Sequence, residues 1–409
     1  MDVSRRHFLR GAAVGTAGTA LTGAVLLEGK AVDANAATVA APPEHYPFHG
    51  EHQSGILTPP PAQKQNFSSH IAFDVIAKDK AALAETLMVL TERARFLTSG
   101  GTPPELGICQ PPADSAVLGP VIPADGLTVT VAVGASLFDG RFGLGDRKPA
   151  KLKPMTVFPN DFPDPQWSHG DVLVQLCAHN PDTVHHALRD ITRAVRGSMQ
   201  MRWRIDGYNS PPRPSGTGRN LLGFKDGTVN PESTDAANLV WVSDPAEPAW
   251  THGGTYLVVR VIRMMVEFWD RVSINEQERM FGRRRDSGAP LDGNSEFDIP
   301  NYAADAEGKT IPLDAHIRLA NPRTPDTDNQ RLLRRSYNYD LGVDLNGNMQ
   351  SGHVFVCFQQ DIDRQFETVQ GRLNDEPLVD YVQPFGGGYF FALPGLADEN
   401  DWYAKSLLA

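Results

Sequence analysis

Gly170-Asp-Val-Leu-Val-Gln-Leu-Cys-Ala-His179 is a strand-like apolar run, and Thr183 to Val195 behind it reads as a helix. The same order returns about 182 residues downstream, where Gly352-His-Val-Phe-Val-Cys-Phe-Gln-Gln360 precedes a helix-like Ile362 to Leu373. Earlier segments echo too: His70-Ile-Ala-Phe-Asp-Val75 with helix-like Lys80 to Leu97 corresponds to Thr255-Tyr-Leu-Val-Val-Arg-Val-Ile262 with Met264 to Phe281, at an offset of about 185. Two agreeing offsets argue for a duplicated unit rather than chance apolar runs. A strand, helix, hairpin, strand, helix order repeated once predicts an α+β fold of two sandwiches, each an antiparallel sheet with helices on one face.

The repeat sets the expected domain plan. Residues 66–215 form one unit and 216–409 the other, joined by the Pro- and Gly-rich loop from Asp206 to Asn220. Residues 37–65, rich in Ala, Pro and Gln, are expected to be an extended lead-in. The inserts Pro103 to Pro123 and Asp286 to Ile311 are polar or Gly/Pro-rich and are placed at the surface.

Residues 1–36 stand apart from the fold. Ser4-Arg5-Arg6-His7-Phe8-Leu9-Arg10 is a twin-arginine export signal, followed by a weakly apolar run from Gly11 to Leu27 and an Ala34-Asn35-Ala36 cleavage site. The apolar run is rich in Gly, Ala and Thr and barely long enough to span hydrocarbon, so a stable membrane anchor is not expected. The chain is expected in the periplasm or outside the cell. Its net charge of −11 gives no general attraction for nucleic acid or anionic membranes. Three cysteines, Cys109, Cys177 and Cys357, are too few for a disulfide framework.

Three further stretches carry chemistry. Gly223-Phe-Lys-Asp226-Gly227-Thr-Val-Asn230-Pro231 sets one carboxylate between glycines, where little bulk shields it from a ligand. A turn Asp bonding its own backbone is the plain alternative. Asp314-Ala-His316-Ile-Arg318-Leu-Ala-Asn321-Pro322 carries one of twelve histidines, and a lone histidine is more often a satisfied polar residue than a ligand. Arg334-Arg335-Ser336-Tyr337 follows, and in an alternating strand one arginine faces a pocket while its neighbour faces away.

With Pro47-Phe48-His49-Gly50-Glu51-His52-Gln53-Ser54-Gly55-Ile56 near the start and Gly386-Gly387-Gly388-Tyr389-Phe390-Phe391-Ala392-Leu393-Pro394-Gly395 near the end, these stretches make five ordered segments over residues 46–396. Together they resemble the dye-decolourising (DyP-type) haem peroxidases, and within them the exported, EfeB-like deferrochelatase/peroxidase branch associated with ferrous-iron uptake. The resemblance implies two ferredoxin-like halves, the second carrying the haem. It also implies a haem b peroxidase that uses hydrogen peroxide to oxidise dyes, phenols or other bulky reductants through a ferryl intermediate; the alternative is release of iron from haem. Without a C-x-x-C-H motif the haem is expected to be non-covalent.

The resemblance makes His316 the iron ligand, Asp226 the distal acid/base and Arg334 the distal cation. A carboxylate base predicts activity persisting toward about pH 4 to 5, since its reference pKa is near 4. Asp361 is the expected partner for the second nitrogen of His316, with Asp363 competing and a helix cap the alternative for both. Arg219, Arg318 and Arg323 are candidates for the haem propionates, and Ser336 for the distal wall. Trp203, Trp241, Trp250, Trp269, Tyr337 and Tyr389 are available to carry oxidation outward, although aromatics in strands more often serve the core. His45, His49, Glu51 and His52 have metal-ligand chemistry, which the family's opening segment explains more economically. A homo-oligomer and iron-uptake partners are compatible with this reading.

Overall fold

A computed structural model describes residues 44–409; the export signal and its cleavage site lie outside the described residues. The first half supplies strands β1 (Phe67–Val75), β2 (Thr128–Gly134), β3 (Val172–Ala178) and β4 (Met199–Tyr208). The second supplies β5 (Thr255–Met264), β6 (Leu333–Arg334), β7 (Tyr337–Val343), β8 (Met349–Gln359) and β9 (Val382–Ala392). The strands pair antiparallel in the order β4-β1-β3-β2 in one half and β7-β8-β5-β9 in the other, the same ferredoxin-like arrangement twice. The repeat in the sequence did not announce how the halves join. β2 pairs with β9 from Ala132↔Ala392 to Gly134↔Phe390, and β4 meets β7 at Tyr208↔Asn338, so eight strands close into one barrel.

Alternation along the strands sorts side chains into two layers. Leu257, Val259 and Val261 of β5 join Val354, Val356 and Phe358 of β8, with Ala72 and Leu173, in the barrel interior. On the outer face of the first half, Ile71, Phe73, Val174 and Leu176 lie under helices α1 (Lys80–Ser99) and α2 (Pro181–Ala194). The α1 residues Leu83, Leu87, Leu90, Ala94 and Leu97 recur every three or four positions and are fully buried on that sheet. Asp79 caps α1 by accepting the Ala82 N–H at 2.8 Å, and Gly100 ends it at φ 69°.

The second half departs from expectation. The helix expected from Met264 to Phe281 is broken, because β5 runs through Met264 and one helical turn, Val266–Trp269, is followed by a separate helix, Ile274–Phe281. At the break Trp269 turns inward and its indole N–H donates to Leu222 O at 2.9 Å, while Ser273 caps the new helix. The segment expected to be one helix from Ile362 to Leu373 is a π-helical turn, Ile362–Glu367, continued by Thr368–Arg372. Short, interrupted helices cover less sheet than α1 and α2 do. A space opens beneath them.

Two loops are tied more closely to the fold than their composition suggests. Among the described residues, 44–65 carry only a short 3₁₀ turn and are anchored: Gln53 donates to Val131 O and Leu393 O at 2.8 and 2.7 Å, and Ile56 is fully buried. The insert Asp286 to Ile311 is not only surface, because Glu296 is buried and Pro300 and Tyr302 reach the space beneath the short helices.

Candidate active site

That space is a cavity of about 300 Å³ on the outer face of the second half. Its floor is the β5/β8 sheet, where Ile262 pairs across with His353 and Arg260 with Phe355. Its cover includes Phe281, His316, Phe366, Val369, Leu373 and Leu378.

Asp226 stands at one wall, on a loop held by its own polar groups. Asn220 Oδ1 accepts the N–H groups of Leu222 and Phe224, Asp226 N donates to Gly218 O at 3.0 Å, and Gly223 and Gly227 take φ 88° and 89°. Such angles strain any residue with a Cβ, so the flanking glycines are what this turn requires. Asn230 ties the loop to β6, accepting the Arg334 N–H at 2.7 Å and donating to Arg334 O at 3.3 Å. Arg334 Nη1 then donates to Asp226 Oδ1 at 3.2 Å and Nη2 to Val229 O at 3.0 Å. On the other carboxylate oxygen, His353 Nε2 lies 3.0 Å from Asp226 Oδ2. Burial works against the charged form of Asp226, but His353, Arg334 and Lys64 outweigh it and hold the carboxyl well below the usual carboxylate range.

His316 opens the short helix His316–Ala320 and reaches the cavity. Its Nδ1 lies 2.6 Å from Glu376 Oε2, with the Glu376 side chain 8% exposed. Burial opposes protonation of His316; the Glu376 carboxylate overrides it and raises the pKa. With Nδ1 engaged, Nε2 is the nitrogen left for a ligand. The expected partner, Asp361, is elsewhere: its carboxylate accepts the Asp363 and Arg364 N–H groups at 2.9 and 3.0 Å as a helix cap. Asp363 pairs with Lys151 and Lys153. Glu376 was not singled out because it lies 60 residues beyond His316, in a stretch whose only marker is the proline after it.

Of the expected propionate arginines, Arg323 lines the cavity and its buried Nε has no hydrogen-bond partner. Arg219 and Arg318 do not line it. Arg219 binds the carbonyls of Gly223, Arg285 and Asp286, bracing the Asp226 loop; Arg318 binds Ile311 O and Asp305 O and sits over the Tyr302 ring. Ser336 is also outside the lining, because its Oγ accepts the Val356 N–H at 3.2 Å where the β8 ladder is interrupted. The two arginines of the Arg334-Arg335 pair face opposite ways: Arg335 is fully buried and donates to Pro59 O and Gln65 Oε1.

Of the six candidate aromatics, Trp203, Trp250, Trp269, Tyr337 and Tyr389 are buried and Trp241 is partly exposed, stacked on His52 at 3.6 Å. Among the described residues no group of three or more His, Cys, Asp or Glu could hold a metal ion; His49 instead accepts from Arg95. Sequence reasoning missed His353 and also Arg260, which is 2% exposed, pairs with Asp161 and lies over the Phe158 and Phe366 rings.

An apolar cavity lined by a carboxylate-bound imidazole whose Nε2 is free, a carboxylate–arginine pair and an unpartnered guanidinium nitrogen has the donor set that haem and peroxide need. The family models agree with that chemistry. The Dyp-type peroxidase N-terminal model matches residues 53–209 and the C-terminal model residues 217–397. This chain belongs to the DyP-type peroxidase family. DyP-type peroxidases are haem-dependent enzymes that take hydrogen peroxide and a reductant, and this one carries a twin-arginine signal at residues 2–22 that directs it to export into the periplasm or beyond. It is 51% identical over 374 residues to a deferrochelatase of Escherichia coli (strain K12), covering 89% of this chain and 88% of that one. A deferrochelatase of Yersinia pestis is 52% identical over 370 residues, covering 88% and 84%. Among solved structures, a DyP-type peroxidase from Cellulomonas bogoriensis superposes with a TM-score of 0.80 at 37% identity, covering 90% of this chain and 99% of that one. Ferric DtpA from Streptomyces lividans gives 0.79 at 33% identity, covering 90% and 98%.

Proposed function

We propose that this peroxidase holds haem b non-covalently through His316 Nε2 and works on hydrogen peroxide with Asp226 and Arg334. The observation that carries the reading is that the Glu376-bound imidazole and the Asp226–Arg334 pair reach one cavity. Among the described residues none of the three cysteines lines that cavity, which supports a haem without thioether bonds. Bound haem supplies the iron at which the peroxide O–O bond is broken and from which reductants are then oxidised. Glu376 fixes the His316 tautomer and makes its ligating nitrogen more basic. Asp226 takes the proton from the incoming peroxide, and Arg334 offers a permanent cation to the departing oxygen. Arg323, with its unpartnered Nε, is the arginine best placed to receive a haem carboxylate.

The name deferrochelatase that its relatives carry favours a second activity, removal of iron from haem, and for that activity we propose partners in iron uptake. Both activities are tested on one haem-loaded sample by measuring peroxide-dependent oxidation of a bulky phenol or dye and release of iron-free porphyrin. Dye oxidation without porphyrin release supports the peroxidase reading alone. Porphyrin release without dye oxidation overturns it in favour of iron removal.

A further inference from the structure

The loop that presents Asp226 runs from residue 213 to residue 231 without a helix or a named strand, and it turns through Gly216, Gly223 and Gly227 at positive φ. So glycine-rich a chain does not hold a side chain in place by itself. One carboxylate from outside closes on it. Glu296, in the insert Asp286 to Ile311, is 7% exposed; its Oε1 accepts the Thr217 N–H and the Thr228 hydroxyl, both at 3.1 Å, and the Thr217 hydroxyl donates to it as well. Its Oε2 lies 3.5 Å from Lys225 Nζ, which also donates to Thr217 O at 2.8 Å. A Cβ at Gly216 would collide with that Oε2, so the glycine leaves the room the carboxylate takes. The partners stand nine residues before Asp226, one before it and two after it, so the grip straddles the candidate base.

The insert is itself fastened on both sides. Arg283 Nη1 donates to Glu296 O at 2.8 Å, and Arg219, from the loop, donates to Arg285 O and Asp286 O. Farther along, Asp305 O and Ile311 O accept from Arg318 at 3.0 and 2.9 Å, and Arg318 belongs to the short helix that opens with His316. One insert therefore grips the wall of Asp226 and the wall of His316.

We infer that Glu296 is a positioning residue, through which the insert sets where the Asp226 carboxylate stands against Arg334 and across the cavity from His316. This rests on the peroxidase reading above. Glu296 does not line the cavity; it acts through Thr217, Lys225 and Thr228. The contacts at stake are Arg334 Nη1 on Asp226 Oδ1 at 3.2 Å and His353 Nε2 beside Oδ2 at 3.0 Å. A loop displaced by about 1 Å carries such contacts beyond hydrogen-bond reach. The groups facing Asp226 are Arg334 from β6, His353 from β8, Lys64 from the anchored N-terminal stretch and His316 from the helical cover. Losing the Arg334 and His353 contacts returns the carboxyl from its lowered pKa toward the ordinary value near 4.

The test compares haem-loaded wild type, Glu296→Gln, Asp226→Asn and the double variant from about pH 3 to 8. Two rates are followed: reaction with peroxide, and association of cyanide, which must surrender a proton on binding but involves no turnover. Gln has the shape of Glu296, with one acceptor oxygen in place of two and no charge for Lys225. Glu296→Gln is expected to keep the wild-type haem stoichiometry, to lower both rates about 10-fold at neutral pH, and to move their acid limb to higher pH. In the Asp226→Asn background the same change should add less than about 2-fold, because the group it positions is already gone. An unmoved limb, or an equal fall in both backgrounds, overturns the inference. Should Glu296→Gln not load haem, Thr217→Val, which removes one hydroxyl bond outside the cavity, decides by the same two criteria. Wild type that takes up cyanide but ignores peroxide sinks the peroxidase reading, and the cyanide limb alone then decides whether Glu296 places Asp226.

Discussion

The two halves of the barrel carry the same strand order, but their outer faces have opposite fates. Under α1 and α2 the first half is packed with Ile71, Phe73, Val174, Leu176 and the buried leucines of α1. In the second half the matching face presents Arg260, Ile262, His353 and Phe355 to a cavity, beneath helices that are short and broken. The difference teaches that helical cover is the variable part of this unit. Long helices make a core, and interrupted helices leave room for a cofactor, beside which two other short elements, the helix His316–Ala320 and the 3₁₀ turn that follows Glu376, set His316 and Glu376.

The largest blow to this contrast is His316→Ala. It removes the only assigned protein ligand for iron, and most bound haem should be lost, read as Soret absorbance and haem-to-protein ratio. Wild-type stoichiometry in that variant would break the assignment of the cavity. Next come the groups at the Asp226 wall. Arg334→Leu should slow the reaction with peroxide by about 10²- to 10³-fold in stopped flow, and Asp226→Asn by less, because a water can relay a proton but nothing replaces the fixed cation. Equal, unchanged rates in both would take them out of the reaction.

Packing gives the third test. Leu90→Ala in the solid half should cost about 2–5 kcal/mol in denaturant unfolding of the haem-free protein, whereas Ile262→Ala, already bordering a cavity, should cost less. Equal losses would erase the distinction between the faces. The fourth separates the carboxylates of the cover: Asp361→Ala should cost about 0.5–2 kcal/mol as a lost cap and leave the haem spectrum alone, while Glu376→Gln should shift that spectrum. The smallest effect concerns acid. Asp226 has a lowered pKa in the folded chain, so its ionised form stabilises the fold fully above the unfolded value near 4, and that contribution is lost as pH falls below it. Haem-free Asp226→Asn should therefore lose less melting temperature than wild type between about pH 5 and 3.

Much of this arrangement was legible because its parts are local in the chain. The glycines around Asp226, the run after His316 and the arginine pair each sit in one short stretch, and strand alternation alone says Arg334 and Arg335 face opposite ways. Glu376 was illegible because its contact depends on how two loops meet. His353 was hidden by parity. An offset of about 182 sets Val354 against Val172, but Val172 packs outward under α2 and Val354 points into the barrel. A shift of one residue exchanges the faces of a strand, so the even offset disguised which side of β8 meets the cavity. The break at Trp269 was missed for a related reason: an apolar, helix-length run does not reveal that one of its aromatics is drawn inward by Leu222 O.

The ring of strands bears on how such a chain survives its journey. The twin-arginine route carries proteins already folded, and a finished particle waiting at a membrane meets many copies of itself. A sheet with free borders would offer them rows of unsatisfied N–H and C=O groups on which to stack. Here the principal borders are sewn to each other, by three residue pairs between β2 and β9 and one between β4 and β7. The single stitch at Tyr208↔Asn338 is the thin place, reinforced by the Asn338 side chain donating to Arg219 O and Ser210 Oγ. Self-templating aggregation would begin there, and loosening that amide is how a soluble cargo would become a sticky one.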